Sequence, residues 1–475
     1  GDVTVTMEIT EANFYAENVE LRVTRDDAQI SVTPQWSDES KDVHIGTFTL
    51  EGDGDYMITA DYTDKSGNEM EQYASQQITI DTEDPVISVS DIVAGSASKE
   101  EKYGFTITAE DQNLDGGTFE TSLTAVEQNE NGSFETKEIP LGTARAVEAG
   151  RIYTYTVENL PDDAIYTLSC SVTDMAGHTT QKFSLADGSE YENVQFSINR
   201  HGSNFLLDAD TEELTAQYYV YSVEKDVIIR EINVDVVEDY TVRLNDEVLG
   251  ENRDYKTELS GDDGQWSERD YIIDKQLFQE EGEYYLTVES KDKTETVAYS
   301  DVKNAGVAFV VDQSAPIVTI TGLRQQGRYQ TDEKTVSVMP TDEGGKLNSF
   351  AAIVLDSDGN PIKNVAGEDI SRRVELTGED LLTQLADNDG KITFTVPEGL
   401  DMQVQIICTD CAMQPDGSTN EYNELFQEIT VSPSQWIMFY ANKPLFYGAI
   451  AVVCVPVAGG TAWILLRRKR KILKK

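Results

Sequence analysis

At 475 residues the chain is too long for one hydrophobic core, and the usual domain size of roughly 100–150 residues divides it into roughly three to five units. It carries 37 basic and 87 acidic residues, a formal charge of -50, which disfavours nucleic acid and anionic membrane surfaces as partners of the main body. Seven of the basic residues fall between Arg467 and Lys475, so the first 466 residues are more acidic still. Abundant Tyr, Thr and Val favour strands over helices. The sequence opens at Gly1 with no charged segment followed by an apolar one, and a processed or truncated start is expected.

One spacing recurs along the chain: an apolar or Tyr position followed eight residues later by Asp. The pairs are Tyr56 and Asp64, Tyr166 and Asp174, Tyr284 and Asp292, and Met402 and Asp410, with first members 110, 118 and 118 residues apart. Between the members of each pair apolar residues alternate with period two, as in Tyr166, Leu168, Cys170 and Val172, so one face of each strand is buried. A turn follows, marked by Ser66-Gly67-Asn68 and Ala176-Gly177-His178 in the first two units, whereas the third and fourth lack that Gly and must turn differently. Each unit closes on a short strand ending at Asp81, Asn199, Asp312 or Ser432. Pro85 and Pro316 open the next strand and stiffen the joint.

This pattern predicts an all-β chain of tandem immunoglobulin-like (Ig-like) β-sandwich domains. The expected units are 1–84, 85–199, a divergent 200–314, and 315–433. Gly54-Asp55-Tyr56 and Gly282-Glu283-Tyr284 resemble the start of strand F in such a sandwich, where a Tyr hydroxyl ties the corner to the backbone. Two residues on, where antibody domains place Cys, stand Ile58, Leu168, Leu286 and Val404. Of the four cysteines, Cys170, Cys408, Cys411 and Cys454, the last lies in an apolar run, so one inter-sheet disulfide per unit is not available. The pattern Gly-x-Tyr, Asp-x-Ser/Ala-Gly-Asn, Ile-Asp, Pro-x-Ile resembles the bacterial Ig-like (Big-type) domains of Gram-positive surface proteins. The match is closest over the first 84 residues, including Ile9 to Phe14, and looser beyond. In that family such units act as stalks, spacers and adhesive modules, and the resemblance implies one of these roles.

After the neck 434–443, the segment Pro444–Leu466 runs for 23 residues without a charge. As a helix it spans roughly 34 Å, which predicts a single transmembrane helix over 444–466. Arg467, Arg468, Lys469, Arg470 and Lys471 follow, placing the tail 467–475 in the cytoplasm and the acidic body outside the cell membrane. Trp436, Phe439, Tyr440, Phe446 and Tyr447 at one end and Trp463 at the other match interfacial aromatic belts. No Leu-Pro-x-Thr-Gly sorting signal precedes this segment.

No catalytic constellation emerges, and no cofactor is called for by a motif. Cys408 and Cys411 have the spacing of a redox or metal pair but lie at a strand end without a second pair, which favours plain packing or an incidental disulfide. His44, His178 and His201 fall in different units or joints, with no nucleophile motif near them. Acidic Gly-rich turns are candidates for calcium or for plain solvated turns. The calcium candidates are Asp81, Glu83, Asp84, Asp356 and Asp358; Gly261-Asp262-Asp263-Gly264 and Asp387-Asn388-Asp389-Gly390 have similar composition. Three functions compete: a stalk presenting upstream domains, an adhesin binding host or cell-surface protein or glycan through loops, and the accessory part of a surface hydrolase whose catalytic domain lies before residue 1. Four sandwiches in line would project on the order of 120–160 Å.

Overall fold

The computed structural model describes residues 1–129, 133–160, 162–260, 266–414 and 416–472. Strands dominate, because period-two patterning leaves one apolar face per segment and two such faces bury each other. The first sandwich sets the three-stranded sheet of Val3–Thr10, Val43–Leu50 and Gln35–Asp38 against a five-stranded sheet centred on Val19–Arg25 and Gly54–Tyr62. Its core holds Val23, Phe48, Leu50, Tyr56, Ile58 and Ile80. The second consists of two six-stranded sheets, built around Phe105–Glu110 and Ala164–Thr173.

Separate buried clusters mark the third and fourth sandwiches, one from Phe205 to Val311 and one from Val336 to Val431. Their sheets are not separate. The short strand Tyr219–Val220 pairs in parallel with Val307–Val311 on one side, and through Val220 with Met413 of the strand Gly399–Met413 on the other. Eleven strands thereby share one hydrogen-bonded sheet across the joint.

Helices are few. Asp208 caps the helix Ala209–Gln217 by accepting from the Thr211 N–H at 3.0 Å, and Gly378–Asp387 anchors itself by burying Leu381. Beyond the fourth sandwich, the helices Gln435–Ala441 and Lys443–Ile472 leave the fold. Arg328 Nε donates to the Ala441 carbonyl at 3.1 Å, and Lys443 pairs with Asp401 at 2.7 Å, fixing the start of this segment to the sandwich.

The expected transmembrane helix is overturned: among the described residues no helix is long and apolar enough to cross a membrane. Length is not the reason, since Lys443–Ile472 has 30 residues. What the described residues do not provide is a helical stretch as apolar as the about 20 residues a hydrocarbon core requires. With the span goes the reading of Pro444 and Leu466 as its limits and of Arg467, Arg468, Lys469, Arg470 and Lys471 as its cytoplasmic flank. The Arg467 guanidinium lies over the Trp463 ring, 4.1 Å from its centroid; the side chains of Arg468 to Lys471 lie outside the described residues.

Candidate functional site

Eight residues is an even number, so each Asp of the repeat points to the same side of its strand as the Tyr or Met that starts it. The core therefore ends on a carboxylate. In Gly282–Asp292 the buried series is Leu286, Val288, Ser290 and Asp292. The first three of these aspartates close the turn that follows, and Asp410 binds the backbone two residues on within its own strand. Asp64 Oδ1 accepts from Ser66 and Asn68 N–H at 2.8 and 2.7 Å, Asp174 from His178 at 2.8 Å, Asp292 from Thr294 and Thr296 at 2.9 and 3.0 Å, and Asp410 from Ala412 at 3.0 Å. In the third unit Glu295, at φ 60°, takes the left-handed position that Gly67 and Gly177 hold in the first two.

The strand starts are tied by hydroxyls. Tyr56 shares its one hydroxyl proton between the Glu51 and Gly52 carbonyls at 2.7 and 2.9 Å, Tyr166 donates to Asp162 at 3.0 Å, and Tyr284 to Glu280 at 2.8 Å. Met402, at the equivalent position, is buried without such a tie.

Strand directions bring three strands to every joint. The closing strand of one sandwich ends where the next sandwich brings two of its own strands, one being the strand that carries the repeat Asp, which ends there at the first two joints and runs on to Met413 at the third. Between the first and second these strands supply Asp81, Asp111 and Asp174; between the second and third, Asn199, Asn233 and Asp292; between the third and fourth, Asp312, Asp342 and Asp410. Thirty residues separate Asp81 from Asp111, and thirty separate Asp312 from Asp342.

The middle joint is closed by amides. Asn199 Nδ2 donates to Asn233 Oδ1 and Asp292 Oδ2, both at 2.9 Å, and Asn233 Nδ2 donates to Ser203 Oγ at 2.8 Å. Asn199 and Asn233 are fully buried. Beside them Trp266 packs on Ile165, Ile232 and Val234, with Val126 and Phe134 against the cluster. The Trp266 indole N–H donates to the Val126 carbonyl at 2.8 Å, and Lys99 Nζ to the Thr294 carbonyl at 2.5 Å.

The outer two joints gather carboxylates instead. In the first, ligand atoms of Asp81, Asp174 and His178 lie within 4.8 Å of one another. His178 Nδ1 meets Asp174 Oδ2 at 2.8 Å, and this contact raises the imidazole pKa. The Asn113 amide, with its nitrogen turned inward, reaches Asp111 Oδ1 at 2.8 Å and Asp81 Oδ2 at 2.5 Å. Burial, reinforced by the charges on Asp81 and Asp174, raises the Asp111 pKa.

In the third joint, oxygens of Asp312, Asp342 and Asp410 lie within 4.8 Å of one another. Asp312 and Asp410 are fully buried. Asn420 Nδ2 donates to Asp410 Oδ2 at 3.0 Å and to the Asp312 carbonyl at 3.2 Å. The Ser314 N–H reaches Asp312 Oδ1 at 3.2 Å, and the Gly345 N–H reaches Asp342 Oδ1 at 3.2 Å. The Oδ2 atoms of Asp312 and Asp342 are buried without a hydrogen-bond partner. Loss of water, then mutual repulsion, pushes Asp410 up to about 6; burial also raises Asp312, with Asp342 and Glu281 adding to it, and Asp342, with Glu281 adding to it.

Of the calcium candidates read from sequence, only Asp81 enters such a cluster. Glu83 and Asp84 are exposed beside it. Asp356 instead closes its own turn, accepting from the N–H groups of Asp358 and Asn360 at 2.9 and 2.8 Å. The segment Gly261 to Gly264 lies outside the described residues. Asp342 and Asp111 carry no sequence motif of their own; the closing-strand series Asp81, Asn199, Asp312 is the signal that points at the joints.

Cys408 and Cys411 are both free, and their odd separation sends them to opposite faces of one strand. Burial pushes the Cys408 and Cys170 thiols up to about 12, the reverse of a reactive thiolate. His201 sits with Nδ1 3.0 Å from Asp163 Oδ2, and His44 lies in the first sandwich, far along the chain from either.

No family model matches the sequence, and no curated protein does. Among solved structures the chain is similar, at 11% identity and TM-score 0.27, to the N-terminal eight Ig domains of Down Syndrome Cell Adhesion Molecule isoform 1.30.30, over 90% of this chain and 47% of that one. It is also similar to the mouse nectin-like molecule 4 full ectodomain (Ig1–Ig3), at 11% identity and TM-score 0.26, over 71% of this chain and 97% of that one. The chain thus spans about half the length of the first.

Proposed function

We propose that the chain is a non-catalytic, extracellular stalk of a bacterial surface protein, holding Ig-like sandwiches end to end and presenting domains that precede residue 1. The observation that carries this reading is the repeated joint: three times, the corresponding strands meet in a polar cluster that is largely buried, so successive sandwiches are held rather than strung on loose linkers. A surface with 87 acidic against 37 basic residues repels its like and suits an exposed position. The chemistry of the clefts agrees. The cleft of about 290 Å³ beside the helix Ala209–Gln217 is walled by Asp210, Glu213, Glu224 and Asp226, and its Lys225 is already paired with Asp210 at 2.7 Å.

Small-angle scattering on the isolated chain tests the stalk. A maximum dimension on the order of 120–160 Å is expected from four sandwiches in line. A compact particle of about half that length would defeat the reading. A parallel screen against glycans and matrix proteins should return no binding; a saturable hit would make the chain an adhesin instead.

A further inference from the structure

We propose that the joint between the third and fourth sandwiches is a calcium-class cation site, formed by Asp312 and Asp342 with Asp410, and that the bound ion locks the two sandwiches together. This goes beyond the stalk reading and does not depend on it, since it stands on the joint alone.

Asp312 and Asp342, each just past the end of a strand, converge with Asp410, within the last few residues of the strand Gly399–Met413, with their oxygens within 4.8 Å of one another. Opposite oxygens around a calcium ion, each at 2.3–2.6 Å, stand about 5 Å apart, so the cluster has the right span. Its ligands are all hard oxygens, with no thiolate or imidazole to favour zinc. Asp312 is fully buried, and its Oδ2 has neither donor nor water-facing surface; Asp342 Oδ2 is in the same condition. Among the described residues, no ion pair joins Lys or Arg to any of the three. A buried carboxylate oxygen left this way is costly unless a cation supplies the missing contact. The backbone leaves room for the close approach, because a Cβ on Gly345 would fall 1.9 Å from Asp312 Oδ2.

The chain contains its own comparison. At the middle joint the first two positions are Asn199 and Asn233, and their amides donate directly to neighbouring oxygens, Asn199 to Asp292 among them. That joint is complete with protein atoms alone. Replacing both amides by carboxylates, as the third joint does, removes the donors, adds two negative charges and leaves two oxygens without partners.

The test uses the whole chain, stripped with a chelator and titrated with calcium chloride alone or magnesium chloride alone. Calorimetry should show saturable calcium uptake, and at about 100-fold excess over Kd the thermal midpoint should rise by several degrees. The double variant D312N/D342N copies the Asn, Asn, Asp set of the middle joint, which this fold already accommodates. It should fold without metal, lose one equivalent of calcium uptake per chain, and show a correspondingly smaller calcium-induced rise. No calcium uptake up to about 1 mM, the range of extracellular modules, would overturn the proposal. So would a variant that takes up as much calcium as the parent, or magnesium binding as tight as calcium. None of these results alters the scattering test of the stalk, so the two readings fail separately.

Discussion

Trp266 of the third sandwich donates its indole N–H to the Val126 carbonyl of the second, 140 residues earlier in the chain, at 2.8 Å. The ring also stacks obliquely on Phe134, with centroids 5.8 Å apart. This anchor adds an apolar contact with a polar pin to the amide network of the middle joint. Trp266→Ala should therefore cost about 3 kcal/mol in the stability of the linked pair, and Trp266→Phe, which keeps most packing and loses the N–H donor, about 1 kcal/mol. Thermal denaturation of the two variants beside the parent checks the ranking; equal losses would mean that packing carries nothing.

The amide set at the same joint offers the converse of the cation experiment. Asn199→Asp puts a carboxylate 2.9 Å from Asp292 Oδ2 in a site that is fully buried. The expected loss is about 2 kcal/mol in calcium-free buffer. The double variant N199D/N233D should recover part of it when calcium is added, and differential scanning calorimetry with and without the ion reads both effects.

Hydroxyl ties at the strand starts are worth testing singly. Tyr56 makes two contacts through its hydroxyl, whereas Tyr166 and Tyr284 make one each. Tyr56→Phe should destabilise the first sandwich by about 1 kcal/mol, and Tyr284→Phe should cost less because its hydroxyl contact is solvent-exposed. Urea midpoints followed by hydrogen exchange in the affected strands would distinguish them.

His44 carries a pH dependence. Its Nδ1 lies 2.7 Å from Asp38 Oδ1, its Nε2 lies 2.8 Å from the Glu11 carbonyl, and Phe14 stacks on the ring at 4.3 Å. Both nitrogens face acceptors, so only the imidazolium satisfies both. The Asp38 contact, helped by the Glu11 carbonyl and the charges on Asp38 and Asp42, raises the pKa above 6.5 against the opposing effect of burial. A raised folded-state value means that the contribution is fully present below pH 6.5 and is lost as pH rises through the raised value. Hydrogen exchange in the strand Val43–Leu50 should accelerate beyond its intrinsic pH dependence over that window, and His44→Gln should abolish the excess.

The sandwich strands were legible because they obey a period-two rule that needs no knowledge of neighbours: Tyr166, Leu168, Cys170 and Val172 announce their own buried face. The joints were less so. Asp312, Asp342 and Asp410 come from three different strands, 30 and 68 residues apart in sequence, and nothing local to Asp342 separates it from any acidic turn residue. What does separate it is the shared offset from the preceding closing strand, visible only when units are laid over one another. Trp266 was unreadable for a related reason, since its partners Val126 and Ile165 belong to another sandwich. At the C-terminal end the error ran the other way: the uncharged length of 444–466 promised a span that the described helix does not supply.

The strand Tyr219–Val220 stitches the third sandwich to the fourth, and the Asp312 carbonyl accepts from Asn420 across the same boundary. Recombination that excised the fourth sandwich alone would leave that carbonyl and the free edge of Val220 without their mates. The heritable unit in this half of the molecule is accordingly the pair, and a duplication or swap that respects the two cores but splits this seam copies an unfinished part.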